Sequence, residues 1–211
     1  MSQQRGRFIT VEGVEGVGKS SNIDFLRGLL EERGIDVICT REPGGTNRAE
    51  QIRELLLAHH PEPVPAVAES LLFFAARALN LRNLIEPALE QGQWVICDRF
   101  TDASRAYQGG GRGLDMAMID RLADWVQAGL EPDLTLLLDA PVDVGLSRAS
   151  GRGAGDRMES ENFAFYERVR RVYLELAERY PERFRTIDAA GDLASVQQQI
   201  QRVMDEFFAE N

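Results

Sequence analysis

A chain of 211 residues, 44% hydrophobic and 27% charged, has the make-up of an ordinary globular protein and is long enough to bury a sizeable core as a single domain, 1–211. Its net charge of −10 argues against a duplex nucleic-acid binder, which carries a basic footprint, but leaves room for a local basic pocket built from its abundant arginine. The polar N-terminus and the absence of a long apolar run give no reason to expect a signal peptide or a membrane span, so the cytoplasm is the expected location.

In chain order, the apolar run Phe8–Val11 reads as a buried strand. It leads into Gly13-Val14-Glu15-Gly16-Val17-Gly18-Lys19-Ser20, which fits the phosphate loop G-x-x-x-x-G-K-[ST] at every fixed position. A helix is predicted from Ser20 onward. Glycines let backbone N–H groups approach phosphate oxygens, so Gly13, Gly16, Val17 and Gly18, with Ser21 behind them, are expected to wrap a nucleoside triphosphate. Lys19 supplies a point charge to the transferring phosphates, and the Ser20 hydroxyl is a candidate Mg²⁺ ligand.

The second strand, Val37–Thr40, runs into Arg41-Glu42-Pro43-Gly44-Gly45-Thr46. His59-His60 sit at a helix end and read as a solvated cap before the Pro-rich loop 60–65, not as metal ligands. The stretch Ala68–Leu81 is apolar on most sides at its start, which predicts a helix that is deeply buried or forms a subunit interface. Pro87 should kink it or start a new turn. Phe73 and Arg77, four apart, share a face: the pair reads either as a ring to stack on a base beside a guanidinium for its edge, or as core plus a snorkelling arginine.

A third strand, Trp94–Cys97, is followed by Asp98-Arg99-Phe100. Asp98 is placed to reach an Mg²⁺ shell and Arg99 to hold a second phosphate-bearing substrate; a structural ion pair is the plainer alternative. Gln108-Gly109-Gly110-Gly111-Arg112-Gly113 is too glycine-rich for helix or strand, so a loop is expected, either near a ligand or a bare connector. Cys39 and Cys97 lie in apolar strand-like runs and are expected to be buried thiols, without a disulfide.

The fourth strand, Leu134–Leu138, precedes Asp139-Ala140-Pro141. Beyond it, Arg148, Arg152 and Arg157 are interspersed with Gly151, Gly153 and Gly155. Fixed cations on a flexible segment suit a lid over a triphosphate, about 148–158, although a simple soluble loop has the same composition. Phe163, Tyr166, Val169, Tyr173, Leu176 and Tyr180 mark an amphipathic helix, and Leu193, Val196, Ile200, Val203 and Phe207 a second. Between them lies the fifth strand, Phe184–Ile187, followed by Asp188-Ala189-Ala190-Gly191. Continuous apolar strands alternating with helices predict an α/β fold: a three-layer α/β/α sandwich on a five-stranded parallel sheet, with ligands beyond the strands' carboxyl ends.

In order and spacing, Gly13–Ser20, Arg41–Thr46, Phe73–Arg77, Asp98-Arg99-Phe100, Ala106–Gly111 and Asp156-Arg157-Met158-Glu159 make the chain resemble the bacterial thymidylate kinases, over essentially its whole length. The resemblance implies a P-loop kinase fold, a homodimer, and transfer of the ATP γ-phosphoryl group to dTMP with Mg²⁺. It implies Phe73 stacked on thymine, Arg77 on its O4 edge, and Ser104 and Tyr107 near base and deoxyribose. Glu42, Pro43 and Gln108 would complete that pocket. Arg99 and Arg53 would hold the dTMP phosphate, and Glu15 would approach the 3′-hydroxyl. The phosphate loop carries no arginine, as in the branch whose catalytic cation comes from the lid, here Arg152 and Arg157, with Arg148 on the ATP side; Asp188–Gly191 would line the adenine site. Phe100 and Ser104 depart from the residues common in the family. Three rival readings are a deoxynucleoside kinase using Glu42 as general base, a regulatory GTPase or ATP-driven switch, which has only Asp188–Gly191 as a D-x-x-G match and no N-K-x-D, and a non-catalytic dimerisation protein, against which the intact Gly13–Ser20 loop counts.

Overall fold

The computed structural model describes residues 5–150, 157 and 161–210. Five strands, β1 (Phe8–Glu12), β2 (Val37–Arg41), β3 (Trp94–Asp98), β4 (Leu134–Asp139) and β5 (Phe184–Asp188), form one sheet in the order β2-β3-β1-β4-β5, every pairing parallel. Each strand ends one residue later than its apolar run, on Glu12, Arg41, Asp98, Asp139 or Asp188. Backbone pairing extends through the charged residue because the ladder hydrogen-bonds main chain, whatever the side chain.

Side chains of β1 and β3 alternate between the two faces. Ile9, Val11 and Ile96 enter a core shared with helices α1 (Lys19–Glu32), α8 (Phe163–Arg179) and α9 (Leu193–Glu210). Phe8, Val95 and Cys97 enter a second core with Leu81, Ile85, Ala88 and Leu89. Both faces are covered, so the expected three layers are present. β2 is an edge strand and only partly buried. Cys39 on it is exposed, contrary to the expectation of a buried thiol; Cys97, in a central strand, is buried, and both are free.

Helix α2 (Asn47–Leu57) is capped by the Thr46 side chain. Helix α3 runs over Ala66–Asn80 and continues through a π-helical turn, Leu81–Ile85, into α4 (Glu86–Glu90), whose first turn holds Pro87. Proline therefore starts a new segment, as its missing N–H permits. After α5 (Thr101–Ser104), residues Arg105–Gly111 form a second π-helical stretch where a loop was expected. The glycines are there for packing: a Cβ on Gly110 would stand 2.6 Å from Val172 Cγ2 and 3.1 Å from the Arg168 carbonyl of α8. Arg168 in turn donates to the Gly110 and Gly111 carbonyls at 3.2 and 2.9 Å, satisfying acceptors of that stretch. Helices α6 (Met116–Gln127) and α7 (Val142–Ser150) complete the described elements. Most of the predicted lid, including Arg152, lies outside the described residues. Among the described residues, no helix is long and apolar enough to cross a membrane.

Candidate active site

The carboxyl ends of β1, β2 and β3 open into one cavity of about 250 Å³. The phosphate loop forms its floor. Gly16 has φ 75, and a Cβ there would collide with the Gly145 carbonyl of α7, so only glycine lets the loop lie against that helix. Helix α1 begins at Lys19 behind Gly18, which provides no side-chain cap. Its first amides are left for an anion, with the positive end of the helix dipole behind them.

Lys19 is the only lysine of the chain, a signal present in the sequence and not used above. Its ammonium donates to the Val14 and Gly13 carbonyls at 3.0 and 3.3 Å. Burial, with the Arg99 charge adding to it, lowers its pKa. Ser20 lines the same cavity, as does Asp98, whose Oδ1 is buried without a partner among the described residues.

Arg99, just past β3, donates Nη2–H to Glu15 Oε1 at 2.7 Å and Nη1–H to the Gly13 carbonyl at 3.0 Å. Its guanidinium lies 4.6 Å over the Tyr107 ring. Burial opposes its charge, but Glu15 beside it, together with Tyr107, Tyr173 and Asp98, outweighs that and raises its pKa. The Tyr107 hydroxyl donates to the same Glu15 oxygen at 3.1 Å.

On the far wall, Arg77 and Glu42 form an ion pair at 2.6 Å, with side chains only 1% and 3% exposed. Asn80 donates to the other Glu42 oxygen at 3.4 Å. Burial raises the Glu42 pKa, and Arg77 opposes that rise. Arg77 Nη2 donates to the Phe100 carbonyl and to Ser104 Oγ at 3.1 and 3.0 Å. The guanidinium is flanked by the rings of Phe74 and Phe100 at 4.6 and 5.1 Å. What remains is Nη1, buried and without a partner among the described residues. Phe73, one residue before Phe74 and partly exposed, also lines the cavity, so helix α3 presents a ring and a guanidinium together. Arg53, from α2, is braced on the Pro43 carbonyl at 2.8 Å.

Glu15, Gly16, Gly18, Lys19, Ser20, Glu42, Pro43, Arg53, Phe73, Arg77, Asp98, Arg99, Ser104, Tyr107 and Gln108 are thus brought to one cavity. Gly13, Val17, Ser21, Arg148 and Arg157 do not line it. Arg148 spends its guanidinium on the Ala189, Ala190 and Gly191 carbonyls at 2.7, 2.8 and 3.0 Å, tying α7 to the turn after β5. Arg157 donates to the Leu56 carbonyl at 2.8 Å and to Glu69 at 2.7 Å. Glu69, wholly buried in α3, also accepts from Gln108 and Arg112. Burial works to raise its pKa, but these donors together lower it.

Arg41, Leu57, Phe100 and Ala103 line the cavity without having been assigned to it. Glu12 and Glu69 support it from beneath. Their signals were slight: one acid closing an apolar run, another inside an apolar helix. Either could equally have been solvated.

The family model described as thymidylate kinase matches residues 11–200. The chain is 57% identical to a thymidylate kinase of Teredinibacter turnerae over 202 residues, 96% of this chain and 98% of that one. It is likewise 57% identical to one of Methylococcus capsulatus over 204 residues, 97% of each chain. Among solved structures, the thymidylate kinase from Ehrlichia chaffeensis superimposes with a TM-score of 0.78 at 34% identity, covering 95% of this chain and 99% of that one.

Proposed function

The chain belongs to the thymidylate kinase family, and from that premise we propose that it transfers the γ-phosphoryl group of ATP to dTMP, giving dTDP and ADP, with the acceptor bound in the cavity described above. The observation that carries this reading is Arg77: its Nε and Nη2 are bonded within the protein, while Nη1 is buried and unbonded among the described residues, in a cavity that Phe73 also lines. A carbonyl such as thymine O4 satisfies that donor. An amino group in its place leaves donor against donor, a penalty of about 1–3 kcal/mol. The thymine methyl is worth about as much, 1–3 kcal/mol, against uracil.

Phe73 stacks on the base, and Ser104, Tyr107, Gln108 and Pro43 surround base and sugar. Glu15 meets the 3′-hydroxyl, while Arg99 and Arg53 hold the acceptor phosphate. An anionic phosphate oxygen is already a competent nucleophile, so no general base is needed. Glu42 is correspondingly occupied with Arg77 and Asn80. Catalysis is alignment of the two phosphates plus stabilisation of the charge between them by Lys19 and a lid arginine.

Gly13, Gly16, Val17, Gly18, Ser20 and Ser21 hold the ATP phosphates, and Arg148 supports the adenine side through the turn 189–191. The bonds of Arg157 to Leu56 and Glu69 favour a docking role for it and leave the catalytic lid charge to Arg152. The Ser20 hydroxyl and Asp98 Oδ1, which has no partner among the described residues, fit a hard cation with oxygen ligands; they would hold Mg²⁺, which would supply charge neutralisation on the transferring phosphates.

We also assign the enzyme to the cytoplasm and to a homodimer. Val67 and Leu71 of α3 and Trp125 of α6 are exposed on two helices that pack together through Phe74, Ile119 and Ala123. Sedimentation equilibrium showing only monomer at micromolar concentration would remove the dimer. The reaction is tested by ADP release with ATP and Mg²⁺ against dTMP, thymidine, dUMP, dCMP, AMP and no acceptor. Strong selectivity for dTMP is expected; turnover indifferent to the acceptor would overturn the reading.

A further inference from the structure

Arg99 has φ 70, in the left-handed region that a residue with a side chain rarely adopts. Such a conformation persists only where its surroundings over-determine it. The Arg99 N–H donates to the Val11 carbonyl at 3.1 Å. The next amide, Phe100 N–H, donates to Glu12 Oε1 at 2.7 Å. The other Glu12 oxygen accepts the Tyr173 hydroxyl, also at 2.7 Å. The Tyr173 oxygen in turn accepts an N–H from Arg99 Nη1 at 3.4 Å.

Glu12 therefore grips Arg99 from two ends, the backbone through Phe100 and the guanidinium through Tyr173. It does so from the last position of β1, wholly buried and outside the cavity lining. A carboxylate at this position is costly. Burial, and after it the Asp102 charge, raises its pKa to about 7. Capping one amide requires only a neutral acceptor; an acid that also orients the Tyr173 hydroxyl toward Arg99 does more than end a strand.

We propose that Glu12 is a positioning residue for the acceptor substrate: with Tyr173 as relay, it sets the conformation in which the Arg99 guanidinium meets the acceptor phosphate. The proposal rests on the reading that Arg99 holds that phosphate, and its test separates the two.

Steady-state kinetics on the full-length enzyme compare Glu12→Gln, Tyr173→Phe, Arg99→Ala and the double variant Glu12→Gln/Arg99→Ala. Gln keeps shape and one carbonyl acceptor but loses the charge-assisted pair. The KM for dTMP should rise about tenfold, with the KM for ATP within about twofold, as expected for loss of one such bond. Tyr173→Phe, which leaves the Phe100 amide capped, should raise the dTMP KM by a smaller factor in the same direction. Because Glu12 acts through Arg99, the double variant should be no worse than Arg99→Ala alone.

An unchanged dTMP KM in Glu12→Gln, an equal rise for both substrates, or full multiplication of its effect on the Arg99→Ala background would overturn the proposal. Should Glu12→Gln fail to fold, an unchanged dTMP KM in Tyr173→Phe overturns it alone. If Arg99→Ala itself leaves the dTMP KM unmoved, the assignment of Arg99 to the phosphate is what fails.

Discussion

Replacing Glu42 by alanine removes the carboxylate that faces Arg77 where both side chains are almost fully shielded from water. The Arg77 charge then stays buried with its Nε–H unpaired and the Asn80 amide without an acceptor. Breaking one side of such a pair costs about 3–5 kcal/mol. At about 2–4 °C per kcal/mol for a chain of this size, the melting temperature should fall by roughly 6–20 °C. Glu42→Gln keeps a carbonyl for Nε–H and should lose about half of that. Kinetically, both variants free Arg77 to leave the position from which it is proposed to read the base. The dTMP KM should then rise roughly ten- to hundredfold, corresponding to about 1.4–2.8 kcal/mol, while the ATP KM holds. Differential scanning calorimetry gives the first quantity and a coupled ADP assay the second. A Glu42→Ala melting temperature within about 2 °C of the parent, a shift worth under about 1 kcal/mol, would refute the buried-pair argument. A collapse of kcat in Glu42→Gln at unchanged dTMP KM would refute the positioning role and restore Glu42 as a base.

Lys19→Ala should abolish transfer while leaving the circular dichroism spectrum and dTMP binding intact; near-normal turnover would remove Lys19 from the reaction. Because no other lysine exists, an amine-acylating reagent should mark Lys19 alone besides the terminal amine, more slowly when ATP and Mg²⁺ are present, as peptide mass mapping would reveal. Gly110→Ala should cost about 1–3 kcal/mol in urea unfolding, since its methyl meets Val172 and a backbone carbonyl with no room to yield; a neutral result would mean that α8 can retreat. For Glu12 the native pKa of about 7 lies above the ordinary 4.5, so the folded state binds more protons than the unfolded one between those values. Its contribution is intact below about pH 4.5 and is lost as pH rises to about 7, by at most about 3 kcal/mol. Glu12→Gln lacks this loss, so its stability relative to the parent should improve between pH 5 and pH 8; an opposite drift in urea midpoints would refute the assignment.

How much of this was legible in the chain depends on how local the determining physics is. The phosphate loop is written in consecutive residues, because its chemistry is backbone amides, one ammonium and one hydroxyl on a single strand–turn–helix. The five strands were visible as apolar runs because both faces of a covered parallel sheet are dry. Charged residues at or just past their ends could be read off as residue types, but not which would be left without a partner among the described residues, like Asp98, or wholly committed, like Glu12 and Glu42. That depends on groups as far apart as Tyr173 and β1, and no spacing rule carries such a distance. The run Gln108–Gly113 misled for the same reason. Its glycines look like a loop by propensity, yet α8 packs so close that only glycine fits, and tertiary contact overrides propensity. Cys39 misled because a strand's sequence does not say whether it will be an edge. Local sequence by itself determined the fold class, the triphosphate loop and the residue types gathered around it. Only the tertiary structure decided which arginines face the cavity and which, like Arg148 and Arg157, are tied to carbonyls and a buried acid elsewhere, because a guanidinium goes to whichever acceptors the fold brings within reach.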